Sequence, residues 1–338
     1  CSTAVGYLNP VKKNKNLKIE TNCHVQKINF NGNTAESVTY SKNNKNFTVV
    51  AEKEIILCAG SIGSPHLLQT SGIGEASKLK DLGIDIIKDL KGVGKNLQDH
   101  LMFRPVYKVK NIETLNKKIN SVFGKLLIGL EYVFKRKGPM TMGASQLCGF
   151  AKSDPTRDTP NLQFHIQPIS TDKLGGANLH DFHAFTPTVA NIRPTSRGEI
   201  TINSSDSKVN PKIKMNYLST DEDRKVAADG IKLIRKIVME TNEFKKYEPE
   251  EFRPGSHLNE KEEIVKACSH YAQTIFHPVG TCKMGNDESA VVSDKLKVHG
   301  LNKLRVIDAS IMPNITSGNT NAPTIMIAEK GADMILGS

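Results

Sequence analysis

A continuous apolar run, Glu54-Ile-Ile-Leu-Cys-Ala59, constrains the fold of this chain more than any other feature of its sequence. An apolar run of this length bounded by glycine is typical of a strand that is buried on both faces, as strands of parallel sheets are. Cys58 would then pack as a small hydrophobic side chain. The run therefore predicts a buried strand of an α/β unit.

The residues that follow predict a turn and a short helix. A glycine-containing turn leads into a segment with Leu67 and Leu68. We expect Ser64 to cap this helix, Pro65 to occupy its first turn and Gly72 to provide its left-handed exit. A helix N terminus directly after a strand can receive a phosphate or a flavin, although structural turns of this kind are common.

The flanking regions predict a second type of architecture. Short β-rich runs within residues 16–50, broken by Asn, Gly and Lys, predict antiparallel strands with turns at Asn31-Gly32 and at 42–45. Strands near 161–168, 182–189 and 198–202, followed by a helix near 221–240, predict an α+β domain on a largely antiparallel sheet. A basic amphipathic stretch at 121–137 precedes Met140 and Met142, which we expect in the core rather than in a cofactor-facing loop.

Composition excludes several classes of function. The chain has 338 residues and a formal charge of +11, but its lysines are scattered and only 6% of its residues are aromatic, with no Trp. We therefore predict a solvated basic surface and no nucleic-acid site. No stretch of about 18 apolar residues occurs, so no membrane span is predicted. The six cysteines are spread singly, which predicts neither a metal site nor a dense disulfide scaffold.

The compartment is left open by the sequence. The glycosylation sequons at Asn46, Asn203 and Asn314 favour secretion weakly. The chain begins at Cys1 without a signal-peptide pattern, from which we expect that an N-terminal portion is missing or processed away.

Four stretches, in this order, carry a resemblance to a known family. They are 60–74 (GSIGSPHLLQTSGIG), 92–101 (GVGKNLQDHL), 277–285 (HPVGTCKMG), and 304–313 (LRVIDASIMP) continuing through 317–330 (SGNTNAPTIMIAEK). Together they resemble the glucose-methanol-choline (GMC) oxidoreductases, and the last stretch is similar to the insect-type glucose dehydrogenases within that family. The resemblance runs from about Ser2 to the C terminus.

The resemblance implies a fold and a division into domains. The fold class would be α/β plus α+β, with an incomplete FAD-binding Rossmann-like domain and a substrate domain built on a largely antiparallel sheet and helices. The expected boundaries are 1–100 for the remainder of the FAD-binding domain, 101–295 for the substrate-binding domain and 296–338 for the return to the FAD-binding domain.

The chemistry of alcohol oxidation indicates what the site must contain. A base must take the hydroxyl proton while an acceptor takes the hydride from the same carbon. His277 suits the first role, because an imidazole with a reference pKa of about 6.5 is largely unprotonated at neutral pH. A second polar group must hold the substrate oxygen, and Asn321 matches the family position that holds His or Asn.

The resemblance also assigns residues to the FAD cofactor. Val25 matches a position whose backbone contacts the adenine end, and Asp308 and Ala309 match the stretch near the ribitol and phosphates. Asn319, Thr320 and Asn321 lie beside the expected pocket. The positive end of the C-terminal helix would stabilise negative charge on the flavin.

Eight further residues are assigned, His100 by the resemblance and the others by local pattern. Ile325, Ala328, Ala332 and Ile335 should form the buried stripe of the C-terminal helix. His100 should organise structure rather than catalysis. His165 and His183, on predicted strands, and His270, near a helix end, should be satisfied or surface histidines.

The family's strand followed by G-x-G-x-x-G is not found here, so we expect the N-terminal dinucleotide-binding motif to be missing. We then expect this chain alone to bind FAD weakly or not at all.

We predict an FAD-dependent oxidoreductase acting on CH-OH donors, either alcohols or sugars, with an external acceptor that is either a quinone or oxygen. The alternative is a non-catalytic binding or structural remnant of the same fold that has lost flavin. A flavin-containing lyase on this fold is a third possibility.

Overall fold

The computed structural model describes residues 2–143, 145–172 and 178–337. Short π and 3-10 turns occur at Ala4–Leu8, Pro139–Thr141 and Ala309–Ile311. The helices are α1 (Asn9–Val11), α2 (Gly60–Thr70), α3 (Ala76–Asp81), α4 (Leu115–Asn120), α5 (Val122–Lys135), α6 (Asp221–Glu240), α7 (Asn242–Lys245), α8 (Lys261–Ser269) and α9 (Asn321–Leu336). The strands are β1 (His24–Asn31), β2 (Thr34–Lys42), β3 (Lys45–Val50), β4 (Ile55–Leu57), β5 (Ile73–Gly74), β6 (Lys88–Asp89), β7 (Leu101–Phe103), β8 (Val106–Lys108), β9 (Leu147–Ala151), β10 (Leu162–Gln167), β11 (Ala184–Asn191), β12 (Glu199–Thr201), β13 (Lys212–Lys214), β14 (Glu250–Arg253), β15 (Gln273–Thr274) and β16 (Leu304–Val306).

A seven-stranded sheet dominates the middle of the chain. Its main path runs β14-β8-β11-β10-β9, β7 pairs with β11, and β15 extends from β7. Every pairing in it is antiparallel. Helix α6 lies against β11 and buries Val226, Ile231 and Ile234. The prediction of a largely antiparallel sheet with helices is therefore confirmed.

A second region joins the two ends of the chain. Strand β4 pairs in parallel with β16, and α2 packs against β1 and against the 3-10 turn at 309–311. Its core includes Ile28, Leu57, Leu68, Val306 and Ile327. The sheet β1-β2-β3 covers this core, with turns at the two predicted positions. The mixed architecture that the sequence predicts is thus present.

Strand β4 is not buried on both faces. Ile55 and Leu57 are buried, but Ile56 is 40% exposed and Cys58 is exposed as well. The prediction of a doubly buried strand is wrong because, within the described residues, β4 pairs only with β16 and alternates between a covered and an open face.

The helix after β4 begins earlier than predicted. Since α2 starts at Gly60, Ser64 and Pro65 lie inside it rather than at its cap and first turn. The predicted exit at Gly72 is confirmed, with a φ of +86°. A Cβ atom there would lie 2.2 Å from the carbonyl oxygen of Asp85, so both conformation and space require glycine.

Helix α9 buries a different face from the predicted one. Its buried residues are Ile327 and Gly331, while Ala328 and Ala332 are exposed and Ile335 is 38% exposed. The helix turns this face inward because Gly331 allows close approach: a Cβ atom there would lie 2.5 Å from Cγ2 of Ile307. Met140 and Met142 are also exposed, contrary to the core position we expected.

Candidate active site

The segment Asn96–His100 forms the framework of the site. The Gln98 side chain donates to the carbonyl of Pro313 at 3.1 Å and accepts the Ile315 N–H at 3.1 Å. The backbone of Gln98 also bridges to that of Val279. One glutamine therefore holds the loop before α9 beside the loop that carries His277.

The next two residues of this framework hold His277 itself. Asp99 accepts the His277 backbone N–H at 2.9 Å and the hydroxyl of Tyr217 at 2.5 Å. Nδ1 of His100 lies 3.1 Å from Nδ1 of His277, with the two rings almost perpendicular at 88°. Only one of these nitrogens can carry the shared proton.

The residue before His277 adopts an unusual conformation. Phe276 has a φ of +65° although its side chain is 69% exposed. A bulky residue in the left-handed region costs about 1–3 kcal/mol, and such conformations are concentrated at functional sites. The surrounding hydrogen bonds to Asp99 and Thr274 hold this turn in place.

Burial keeps the two site histidines neutral. Burial lowers the pKa of His277 below its usual value, with Asp99 opposing the change and His165 adding to it. Burial, then the neighbouring His277, lowers the pKa of His100 to about 3, against the carbonyls of Ile192 and Thr316. Both rings can therefore act as proton acceptors at neutral pH.

The other nitrogen of His277 points to a polar pair. Nδ2 of Asn319 lies 3.4 Å from His277 Nε2, and Asn319 Oδ1 accepts a hydrogen bond from Gln163 Nε2 at 3.0 Å. The Asn319 side chain is exposed, whereas Gln163 is buried. His277 Nε2 therefore faces the open side of the site.

The start of α9 lies beside this group. Thr320 is the residue before the helix and makes no side-chain cap, and Asn321 is the first helical residue rather than the cap. The Asn321 side chain is exposed and hydrogen-bonds to no other residue in the described part of the chain. The structure thus leaves the positive end of a sixteen-residue helix open next to Asn319.

Two of the remaining predicted cofactor residues, Asp308 and Ala309, lie in the region of β4 and α2. Asp308 accepts the N–H of Gly60 and the hydroxyl of Ser64, and it also accepts the N–H of Ser310. This carboxylate already caps α2, so the N terminus of α2 does not offer an open anion site. Ala309 begins the adjoining 3-10 turn.

Val25 lies apart from these residues, 40% exposed on β1, a strand that packs against β2 and α2. The structure brings His277 and Asn319 together, and the carbonyl of Ala309 accepts the N–H of Gly280, three residues after His277, at 3.3 Å. The assignment to FAD of Val25 and of the two residues in the region of β4 and α2 stays a prediction.

Sequence reasoning missed the inner part of the site. It assigned His100 to structure alone and His165 to the satisfied histidines, and it named neither Asp99 nor Gln163. His165 is buried and its Nε2 has no hydrogen-bond partner among the described residues. The missed signal was the alternation of Gln163, His165 and Gln167, which puts three polar side chains on one face of a buried strand.

Two other histidines are hydrogen-bonded or exposed, as predicted. His183 accepts the Thr114 N–H at 3.2 Å, and His270 is exposed.

The described residues contain neither a membrane-spanning helix nor a group of side chains that could hold a metal ion. In residues 2–143, 145–172 and 178–337, no helix has the length and apolar character needed to cross a membrane. Across the same ranges, no three His, Cys, Asp or Glu side chains are grouped as a metal ion would need.

Comparison with known proteins identifies the family. The N-terminal GMC oxidoreductase model matches residues 1–102 and the C-terminal one matches residues 194–328. The expectation that the N-terminal motif is missing is therefore not borne out.

Among the curated relatives are oxygen-dependent choline dehydrogenases. Those of Proteus mirabilis and Acinetobacter baumannii are 42% and 41% identical to this chain and cover 99% of it. The chain spans about 60% of the length of these relatives. They do not support the expected similarity to insect-type glucose dehydrogenases in particular.

Two solved oxidase structures share the fold of this chain. A formate oxidase variant from Aspergillus oryzae superposes with a TM-score of 0.88 at 28% identity, covering 96% of this chain and 62% of that one. Pyridoxine 4-oxidase from Mesorbium loti gives 0.86 at 27% identity, covering 100% and 62%. The predicted cofactor agrees, since GMC oxidoreductases and structural neighbours such as the formate oxidase bind FAD. With both family models matched over more than two thirds of its length, this chain belongs to the GMC oxidoreductase family.

Proposed function

We propose that this chain carries the substrate-oxidising site of an FAD-dependent oxidoreductase that acts on the CH-OH group of a small alcohol. The observation that carries the proposal is the geometry of His277. Its Nδ1 is engaged by His100, while its Nε2 faces the exposed Asn319 beside the open end of α9. Proton abstraction from a hydroxyl requires a base that is held in a fixed position by one ring nitrogen and is accessible to the substrate at the other.

The residues at this site are suited to FAD. A flavin needs a donor-rich, positively polarised surface beside the base, and the uncapped start of α9 with Asn319 and Asn321 offers one. When bound there, FAD would supply the acceptor for the hydride that leaves the substrate carbon.

The protein's own part of the reaction follows from the site geometry. His277 Nε2 accepts the hydroxyl proton as the carbon loses its hydride, so the alcohol leaves as the carbonyl compound. Asn321, whose amide has no protein partner in the described residues, is free to hold the substrate oxygen. The Asp99 carboxylate favours the imidazolium form of His277 that results.

The names of the relatives indicate a narrower substrate class than the geometry of the site does. Their names support an alcohol such as choline and oxygen as acceptor.

The test is the visible absorption spectrum of the native protein under anaerobic conditions. Choline, benzyl alcohol and glucose are added in separate titrations. Bleaching of the flavin bands by an alcohol, with aldehyde formed in equal amount, is the expected result. A folded native protein without flavin bands would contradict the proposal and favour a non-catalytic member of the fold.

A further inference from the structure

A line of hydrogen bonds runs from the interior of the large sheet to the ring of His277. Gln163 Nε2 donates to Asn319 Oδ1 at 3.0 Å, and Asn319 Nδ2 lies 3.4 Å from His277 Nε2. On the far side of the ring, His277 Nδ1 lies 3.1 Å from His100 Nδ1. Four side chains from four separate parts of the chain are thus joined in series.

The direction of each bond follows from the chemistry at the Gln163 end. Gln163 Nε2 faces two acceptors, Asn319 Oδ1 and the sulfur of Cys148 at 3.4 Å. An amide has a donor end and an acceptor end, so Asn319 must turn its oxygen towards Gln163 and its NH2 group towards His277.

The ring of His277 must then match that arrangement. Its Nε2 faces a donor and therefore carries the lone pair, so the ring proton lies on Nδ1. There it is donated to Nδ1 of His100, which leaves the proton of His100 on its Nε2, a buried nitrogen with no hydrogen-bond partner among the described residues. The whole series is consistent with a single tautomer of each histidine.

We infer that Gln163 is a positioning residue that, through Asn319, holds His277 in the Nδ1–H tautomer and keeps its Nε2 free to accept a proton. This inference rests on the proposed function, because an Nε2 lone pair matters only if His277 acts as a base. The Asn319 bond is long at 3.4 Å, so a substrate hydroxyl can take its place.

Burial explains why Gln163 can hold a group that is itself exposed. Gln163 is 2% exposed and lies on β10, between β9 and β11. Asn319 is exposed and would rotate freely without a fixed partner. The rigid sheet thus supports a mobile amide, as second-layer hydrogen bonds orient catalytic groups.

On a purely structural interpretation, the hydrogen bond to Asn319 would do no more than satisfy the buried amide of Gln163. The two interpretations differ in one observable, the tautomer of His277. A structural role predicts lost stability with an unchanged tautomer, whereas a positioning role predicts a changed tautomer.

The test is a long-range proton–nitrogen NMR correlation spectrum of the native protein labelled with ¹⁵N-histidine. Gln163→Met removes the donor at nearly constant length. Gln167→Met is the matched control, because Gln167 lies on the same face of β10, is 3% exposed and donates to Ser145 instead. We expect the Nδ1–H pattern of His277 in the parent and in Gln167→Met, and a mixture of both tautomers in Gln163→Met.

A second variant covers the case in which Gln163→Met fails to fold. Asn319→Asp changes an exposed residue and presents only acceptor oxygens to His277, so the ring must place a proton on Nε2. With turnover, we expect Gln163→Met and Asn319→Asp to lower kcat at least about tenfold with a smaller change in KM.

An unchanged Nδ1–H signal of His277 in folded Gln163→Met, or in Asn319→Asp, would overturn the inference. The outcome is independent of the proposed function. A tautomer that changes in a protein without alcohol turnover would support the positioning role and contradict the proposed function alone.

Discussion

The inner and the open side of His277 differ in how completely the protein fills them. On the inner side Asp99 and His100 are 3% and 0% exposed, and each bonds directly to His277. On the open side Asn319 and Asn321 are exposed, and the Asn321 amide has no partner within the described residues. The inner side therefore holds the proposed base in place, and the open side is where we propose that substrate and cofactor bind.

The largest effect on activity is expected at His277, which lies between the inner and the open side. Replacing the base, His277→Gln, should lower kcat/KM of the native protein by about 10²–10⁴-fold, because no other group at Nε2 can take the proton. The spectrum of bound flavin should stay as it is in the parent. Steady-state kinetics with the best alcohol measure the loss, and a change of less than tenfold would show that His277 is not the base.

On the inner side, Asp99→Asn should destabilise the fold. Asp99 accepts two hydrogen bonds in a buried site, and an amide that still accepts the His277 N–H would turn its NH2 group towards the Tyr217 hydroxyl and lose the charge-assisted bond from it. We expect the free energy of unfolding to fall by about 2–3 kcal/mol. The control is Asp181→Asn at an exposed position, which should change it by less than about 0.5 kcal/mol. Equal losses of unfolding free energy in the two variants would show that Asp99 stabilises the fold no more than an exposed aspartate does, which would contradict the stabilising role of the inner side.

The inner side should also govern acid stability through His100. Its pKa of about 3 in the folded protein lies below the unfolded value of about 6.5, so the unfolded chain binds one more proton between these values. Stability is then complete above pH 6.5 and is lost as the pH falls towards 3. In His100→Gln, urea titrations should show a slope smaller by up to about 1.4 kcal/mol per pH unit. A slope identical to that of the parent would mean that His100 is charged in the fold.

The smallest effect on stability is expected on the open side. Asn321→Ala should change the free energy of unfolding by less than about 0.5 kcal/mol, because the side chain is exposed and unpaired in the described residues. The same substitution at the buried Asn116, which bonds Ser170 and His180, should cost about 1–3 kcal/mol. The pair is compared by thermal and urea unfolding. A large loss in Asn321→Ala would place it in the framework of the fold.

The sequence predicted local elements better than the contacts between them. The helix near 221–240 and the strands predicted near 161–168, 182–189 and 198–202 are all present, and the apolar residues Val226, Ile231 and Ile234 of the helix are among its buried ones. The doubly buried strand at β4 and the predicted face of α9 were wrong, since periodicity does not say which neighbour covers an element. Gly331 decides the face of α9 through a single close approach to Ile307.

The candidate site shows the same limit. His277 and Asn319 come from stretches that the family resemblance marks, and the structure brings them together. Gln163 and His165 come from β10, more than 100 residues before His277, and only the register of the sheet places them there. Long-range contacts of that kind cannot be read from local pattern.

We propose that neutral His277 is the base, and the pH dependence of kcat/KM in the native protein tests this role most directly. Because burial lowers the pKa of His277 below 6.5, kcat/KM should rise with pH through a midpoint below 6.5 and then stay level. The low residual rate of His277→Gln should lack this rise. A profile in which the variant keeps the same rise, or in which the parent has none, would contradict the claim.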